Sequence, residues 1–219
     1  MAPISSWSLI TAPYNRIMVV EGGRRDSTRV RRAEILAATL DCFVEDGPGG
    51  TFIIDVCSRA DVSVGTLYHH FGSKEQLLST LHLVTLNAYQ AYARPVLEAD
   101  PPAYEGVTRT VAAHLRWLTG HPKEATFLLQ QPFMGPRFES APAELVAENE
   151  EFRSVVGAWL DRRAADGTLR PLPFDLVTAL LIGPIHQWVR AALYEKTLDQ
   201  VDQAIDELSE GAWQALRRR

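Results

Sequence analysis

Residues 51–74 read TFIIDVCSRADVSVGTLYHHFGSK, and this stretch decides the fold. Ile53, Val56, Cys57 and Ala60 recur at helical spacing, so a short helix with one apolar face is expected after Thr51, whose hydroxyl suits an N-cap. Ala60-Asp61-Val62-Ser63 interrupts that period. Ser63 stands where it can cap a second short helix, in which Leu67 and Phe71 lie four apart and which Gly72 closes. Ser73-Lys74-Glu75-Gln76 fits the capping box Ser-x-x-Gln, in which hydroxyl and side-chain amide satisfy each other's exposed backbone donors, so a long helix opens there. Two short helices joined by a tight turn and followed by a capped long helix have the spacing of a helix-turn-helix. In that motif the first helix braces across the DNA backbone and the second presents its N-terminal side chains to base edges in the major groove.

Upstream, Ala33, Leu36, Leu40, Phe43 and Val44 make the stripe of a first helix, which Asp46-Gly47-Pro48-Gly49-Gly50 ends. Downstream, Leu77, Leu81, Val84, Ala88 and Ala91 carry the long helix to Pro95, where a stop or kink is expected. Further helices are predicted at residues 103–119, 122–131, 142–165, 174–195 and 199–216, with Gly120 and Gly167 as C-terminal caps and a kink at Gly183-Pro184. Strand signals are scarce, so the fold class is all-α.

The 219 residues are 46% hydrophobic and 22% charged, the composition of an ordinary globular chain, and no run approaches the ~18 apolar residues of a membrane span. Cys42 and Cys57 stand singly, without zinc spacing, which fits a reducing cytosol. Residues 1–23 show no sustained period and are read as a disordered tail without an export signal, with Met18 as an alternative start. The net charge of -5 argues against nucleic-acid binding through the overall field. Its distribution points the other way: Arg24, Arg25, Arg29, Arg31 and Arg32 crowd residues 24–32 against Asp26 alone, whereas residues 83–219 carry 14 basic and 18 acidic groups. A polyanion would meet the N-terminal end, through Arg24 and Arg25 among others; the same run also reads as a solvated helix start.

Arg32-x-x-Ile35-Leu36-x-Ala38, Phe43, Gly47, Thr51 and Val62-Ser63-x-Gly65-Thr66-Leu67-Tyr68-x-His70-Phe71-x-Ser73-Lys74-Glu75-x-Leu77-Leu78 resemble, in order and spacing, the DNA-binding domain of the TetR family of bacterial transcription regulators. The resemblance covers about residues 29–80. It implies a helix-turn-helix domain over residues 24–78 and a helical effector-binding and dimerisation domain over 79–219. It further implies a homodimer, paired through the last two helices, that reads a palindromic double-stranded operator. Sequence readout is expected from Val64, Gly65, Thr66 and His69, whose small or polar groups suit the groove floor. Tyr68, His70 and Lys74 match positions from which the family's phosphate contacts usually come, and Thr51 and Ser63 can add hydroxyls. Thr51 and Ser63 are also ordinary caps, and Tyr68 also reads as packing. Asp61 departs from the family, which usually has glycine there because the chain takes a positive φ; aspartate tolerates that conformation, but its carboxylate would face a polyanion.

Residues 104–160 supply Tyr104, His114, Trp117, Phe127, Gln130, Phe133, Met134, Phe138 and Trp159, a set suited to a mostly apolar pocket between helices and equally to a core. From these, His114, Trp117, Phe127, Gln130, Phe133 and Met134, together with His186, are the candidate ligand residues. Leu176, Leu180, Ile185, Trp188 and Ala192, and Val201, Ile205, Leu208 and Ala212, form the apolar stripes of the last two helices. No catalytic constellation, metal site or cofactor motif is found: His-Glu-x-x-His, a phosphate-cradling glycine loop and Gly-x-Ser-x-Gly are all missing. The expectation is a cytoplasmic repressor released by a small apolar or aromatic effector. A ligand-controlled helical adaptor without DNA binding, and a helical enzyme, are the alternatives.

Overall fold

The computed structural model describes residues 23–130 and 141–218, with side chains from Ser27 onward. The expectations for residues 1–22 and for Phe133, Met134 and Phe138 lie outside the described residues, as do the side chains of Arg24 and Arg25. Among the described residues the chain forms nine α-helices and one 3-10 turn, and its only β pairing is an isolated bridge between Leu169 and Arg217. In chain order these are α1 (Gly23–Gly50), α2 (Ile53–Ala60), α3 (Val64–Phe71), α4 (Lys74–Glu98), α5 (Ala103–Gly120), α6 (Pro122–Gln130), α7 (Ala143–Ala165), α8 (Phe174–Glu195) and α9 (Val201–Leu216), with the 3-10 turn Leu198–Gln200 before α9.

The fold divides into two compact units. The described part of the first comprises residues 23–88, 130 and 141–146; the second comprises residues 89–129 and 147–218.

In the first unit α1 packs on α2 and α2 on α3. Ile35, Leu36, Leu40, Phe43, Val56, Leu67, Leu77 and Leu81 are buried and form its core. Helix α1 is interrupted at Gly47, whose φ of 74° and ψ of -179° leave the helical region, as its Gly-Pro-Gly-Gly tail predicts. Two local expectations are corrected. Thr51 does not cap α2: Phe52 is the cap residue, and the Thr51 hydroxyl turns back to donate to the Gly47 carbonyl at 2.9 Å. The hydroxyl thereby satisfies a carbonyl at the interrupted end of α1, and Thr51 is buried. Of the stop or kink expected at Pro95, the stop does not occur, since α4 continues to Glu98. A proline so near the end forfeits a single helical bond, and the next turn still closes with Ala99 N–H on the Pro95 carbonyl at 3.3 Å while Leu97 is buried.

In the second unit α5 packs on α9 and α8. Val107, Val111, Leu115, Leu118, Ile185, Val189 and Leu216 are buried there. Gly106 lets the Trp159 ring approach so closely that a β-carbon would lie 2.2 Å from it, and the indole N–H donates to the Pro101 carbonyl at 3.1 Å. Of the expected stripe of α8, Ile185 and Ala192 are buried, together with Val177 and Val189, whereas Leu176 and Leu180 are 48% and 38% exposed. Apolar residues fall on more than one side of this helix, so its period alone does not choose the inward face. Against expectation, α8 meets the length and composition required to cross a membrane, with a mean hydropathy of 1.3 and 22% of its most apolar stretch buried. On α4, Tyr89 and Leu97 take buried places while Ala91 is exposed.

Candidate nucleic-acid interface

Helix α3 is built by its own short-range bonds. Ser63 is extended (φ -75°, ψ 155°), and its Oγ accepts from the Thr66 N–H at 3.0 Å, satisfying one of the exposed donors of the first turn. The same oxygen lies 2.9 Å from Thr66 Oγ1, so the two hydroxyls are paired to each other. Upstream, Asp61 takes φ 51° and ψ 53°, the left-handed conformation expected of this turn, while the Val62 N–H closes on the Cys57 carbonyl at 3.0 Å. Downstream, Gly72 has φ 71° and sits so close to the Gln76 side chain that a β-carbon would collide with Oε1 at 2.0 Å. Half of the capping box forms: Ser73 Oγ accepts from the Gln76 N–H at 3.1 Å, and the Ser73 N–H donates to the Phe71 carbonyl at 2.8 Å.

Leu67 and Phe71 point α3 into the core, which sets the outward face. Val64, Gly65, Tyr68 and His69 lie on that face, with Val64 43% exposed, and Thr66 and His70 are half-buried at its margin. Burial, and after it the nearby Arg32, His69 and Arg31, hold the His70 imidazole below its ordinary pKa, so it is neutral near pH 7 and keeps one N–H to donate. Two nearby cations are tied to backbone. Lys74 Nζ donates to the Thr51 carbonyl at 2.6 Å, and Arg32 Nη1 donates to the His70 carbonyl with its guanidinium 4.5 Å from the Phe71 ring centroid. Arg59 is spent on Glu45, at 2.5 and 2.8 Å. Thus Ser63, Val64, Gly65, Thr66, Tyr68, His69, His70 and Lys74 gather on or beside α3, whereas Thr51 is buried with its hydroxyl engaged. Arg32 is matched in the sequence pattern, but its contact with α3 spans 38 residues and is not readable there.

In the second unit the structure unites three of the seven candidate ligand residues. His114 and His186 meet Nε2 to Nε2 at 3.0 Å with stacked rings, and Tyr89 packs edge-on against His114 at 4.4 Å and Trp117 at 5.6 Å. Burial pushes His186 down to about 4 and His114 well below its ordinary value, so both rings are neutral and one must donate to the other. Buried Gln90 donates to Asn149 Oδ1 at 2.8 Å. Phe127 is fully buried and Gln130 is exposed. Tyr89, Gln90 and Asn149 had no sequence signal, because each lies within an ordinary helical pattern.

Comparison with known proteins agrees with this geometry. The family described as "Bacterial regulatory proteins, tetR family" matches residues 35–81, the stretch that runs from α1 through α3 into α4. Over these residues the chain is similar to the TetR family. An HTH-type transcriptional repressor of Mycobacterium tuberculosis is 44% identical over 130 residues, covering 58% of this chain and 64% of that protein. The HTH-type transcriptional regulator BetI of Burkholderia thailandensis is 35% identical over 86 residues, 39% of this chain and 44% of that one. The chain therefore spans less than two thirds of the curated relatives it matches. The crystal structure of a TetR family transcription regulator from Marinobacter aquaeolei superposes with a TM-score of 0.70 at 23% identity, covering 90% of this chain and 99% of that one, a likeness of fold. These proteins are named as regulators or repressors of transcription, not as enzymes.

Proposed function

We propose that this chain is a cytoplasmic, non-enzymatic transcription repressor of the TetR type that binds a palindromic operator as a homodimer and is released by a small apolar or aromatic effector. The observation that carries the reading is α3: a capped, eight-residue helix anchored by Leu67 and Phe71, with Val64, Gly65, Tyr68 and His69 facing outward. A major groove admits one such helix and shows it a distinct donor and acceptor pattern at each base pair. In this reading Val64, Gly65, Thr66 and His69 specify sequence, Ser63, Tyr68, His70 and Lys74 hold phosphates with Arg24 and Arg25, and Thr51 acts by fixing Lys74. The naming of the mycobacterial relative as a repressor supports the sign of regulation.

The exposed Leu176 and Leu180 of α8 support pairing of the last two helices with those of a second copy. The neutral His114–His186 pair beside Tyr89 and Trp117 supports an uncharged, aromatic or apolar effector, since a charge there would be desolvated without an ionic partner. Helix α4 has residues in both units and is the covalent route by which effector binding would favour a dimer whose recognition helices no longer match half-sites about one helical turn apart.

The test is fluorescence anisotropy of the purified protein on DNA upstream of its own gene, against scrambled DNA of equal length, at two salt concentrations. Tight binding to the native fragment alone, weakening as salt rises, is the expected outcome. No binding to either fragment at low salt would refute the reading in favour of a helical adaptor.

A further inference from the structure

We propose that Arg32 is a positioning residue for DNA readout, acting through the C-terminal end of α3 rather than by touching DNA; this rests on the reading of α3 as the recognition helix. At that end the Gly72 N–H closes on the Tyr68 carbonyl and the Ser73 N–H on the Phe71 carbonyl, both at 2.8 Å. The His70 carbonyl between them is taken by Arg32 Nη1. A cation there also meets the negative end of the helix dipole.

The geometry makes this bond consequential. Helix α3 has eight residues, about 12 Å, and its two buried side chains, Leu67 and Phe71, lie four apart on a single line. One line of contact leaves the helix free to rock about it. The Arg32 guanidinium supplies restraint off that line: it stacks 4.5 Å from the Phe71 centroid while its fork reaches the backbone, and it belongs to α1, whose Ile35, Leu36, Leu40 and Phe43 are fixed in the core. Rocking at the Phe71 end displaces Val64, Gly65 and Thr66 at the other, where a shift of a fraction of an ångström breaks base contacts but leaves flexible phosphate contacts intact. Arginine is needed for both parts at once, since lysine has neither the planar stacking face nor the fork.

The experiment uses the full chain as wild type, Arg32→Lys and Arg32→Ala. The wild type is taken through selection from random duplex DNA, and each protein is then titrated with the enriched sequence and with a scrambled one across a salt series. Both variants should lose about ten-fold on the enriched sequence, change less than about two-fold on the scrambled one, and keep the wild-type salt slope. Amide hydrogen exchange should accelerate at Phe71, Gly72 and Ser73 and stay unchanged in α1 and α4. Rescue by lysine, or a slope lowered by about one in Arg32→Ala, would make Arg32 a phosphate contact and overturn the proposal. Exchange accelerated throughout the first unit would reduce Arg32 to general stability and overturn it equally. Enrichment of no sequence by the wild type would instead refute the reading of α3, and the proposal with it.

Discussion

Lys74 donates its ammonium to the backbone carbonyl of Thr51 at 2.6 Å, joining the first residue of α4 to the segment that leads into α2. Thr51 is in turn held by its hydroxyl on Gly47, so the end of α1, the entry to α2 and the start of α4 form one chain of bonds. An ammonium has three donors, and one used inside the protein leaves others for a phosphate. Lys74→Ala is expected to weaken binding to all DNA sequences, lower the salt slope by about one and cost about 1 kcal/mol of stability. Thr66→Ala should instead alter which bases are preferred. Anisotropy on matched and mismatched duplexes, with urea titration, separates the two; equal losses on every duplex for Thr66→Ala would exclude readout by that side chain.

Asp61 sits in the left-handed region with φ 51°, so the turn constrains its backbone while its carboxylate remains exposed. Asp61→Asn keeps the tolerated conformation and removes a negative charge near the DNA-facing helix. Binding to specific and scrambled DNA should tighten together, by about two-fold at low salt, and the gain should vanish at high salt. Asp61→Val has no such tolerance and should lower stability by about 1–2 kcal/mol in chemical denaturation.

The His114–His186 pair makes stability depend on pH with a definite sign. Burial lowers the folded-state value of His186 from 6.5 to about 4, and that of His114 in the same direction, so the unfolded chain takes up the protons first. Stability is therefore complete above about pH 6.5 and is lost as pH falls from there toward 4, by about 3 kcal/mol at most for His186. Urea midpoints measured across that window should fall in the wild type, and His186→Gln should flatten the decline. A wild-type midpoint constant across the window would contradict neutral burial of the pair.

Leu176 and Leu180 lie one turn apart on the exposed side of α8, and Val177, Ile185 and Val189 occupy the buried side. Leu180→Glu places a charge on the proposed contact between copies without touching that buried side. Analytical ultracentrifugation should show a dimer become a monomer while far-UV circular dichroism keeps its helical signal. An unchanged dimer would place the contact elsewhere.

The sequence by itself determined what depends on neighbours a few residues apart. The Ser63 cap, the break at Gly47, the close of α3 at Gly72 and the predicted helices from residue 103 onward all rest on bonds or steric limits within about one helical turn, which residue order specifies directly, while the left-handed Asp61 turn is what the family resemblance implies. The outward face of α3 follows in the same way, because Leu67 and Phe71, four residues apart, take the inward side. Tertiary structure alone decided the rest: that Thr51 serves α1 and not α2, that Arg32 closes the far end of α3, that Tyr89 joins His114, and which side of α8 is buried. These depend on how helices distant in sequence are rotated and packed. A helix such as α8, with apolar residues on more than one side, offers more than one candidate face until packing selects one.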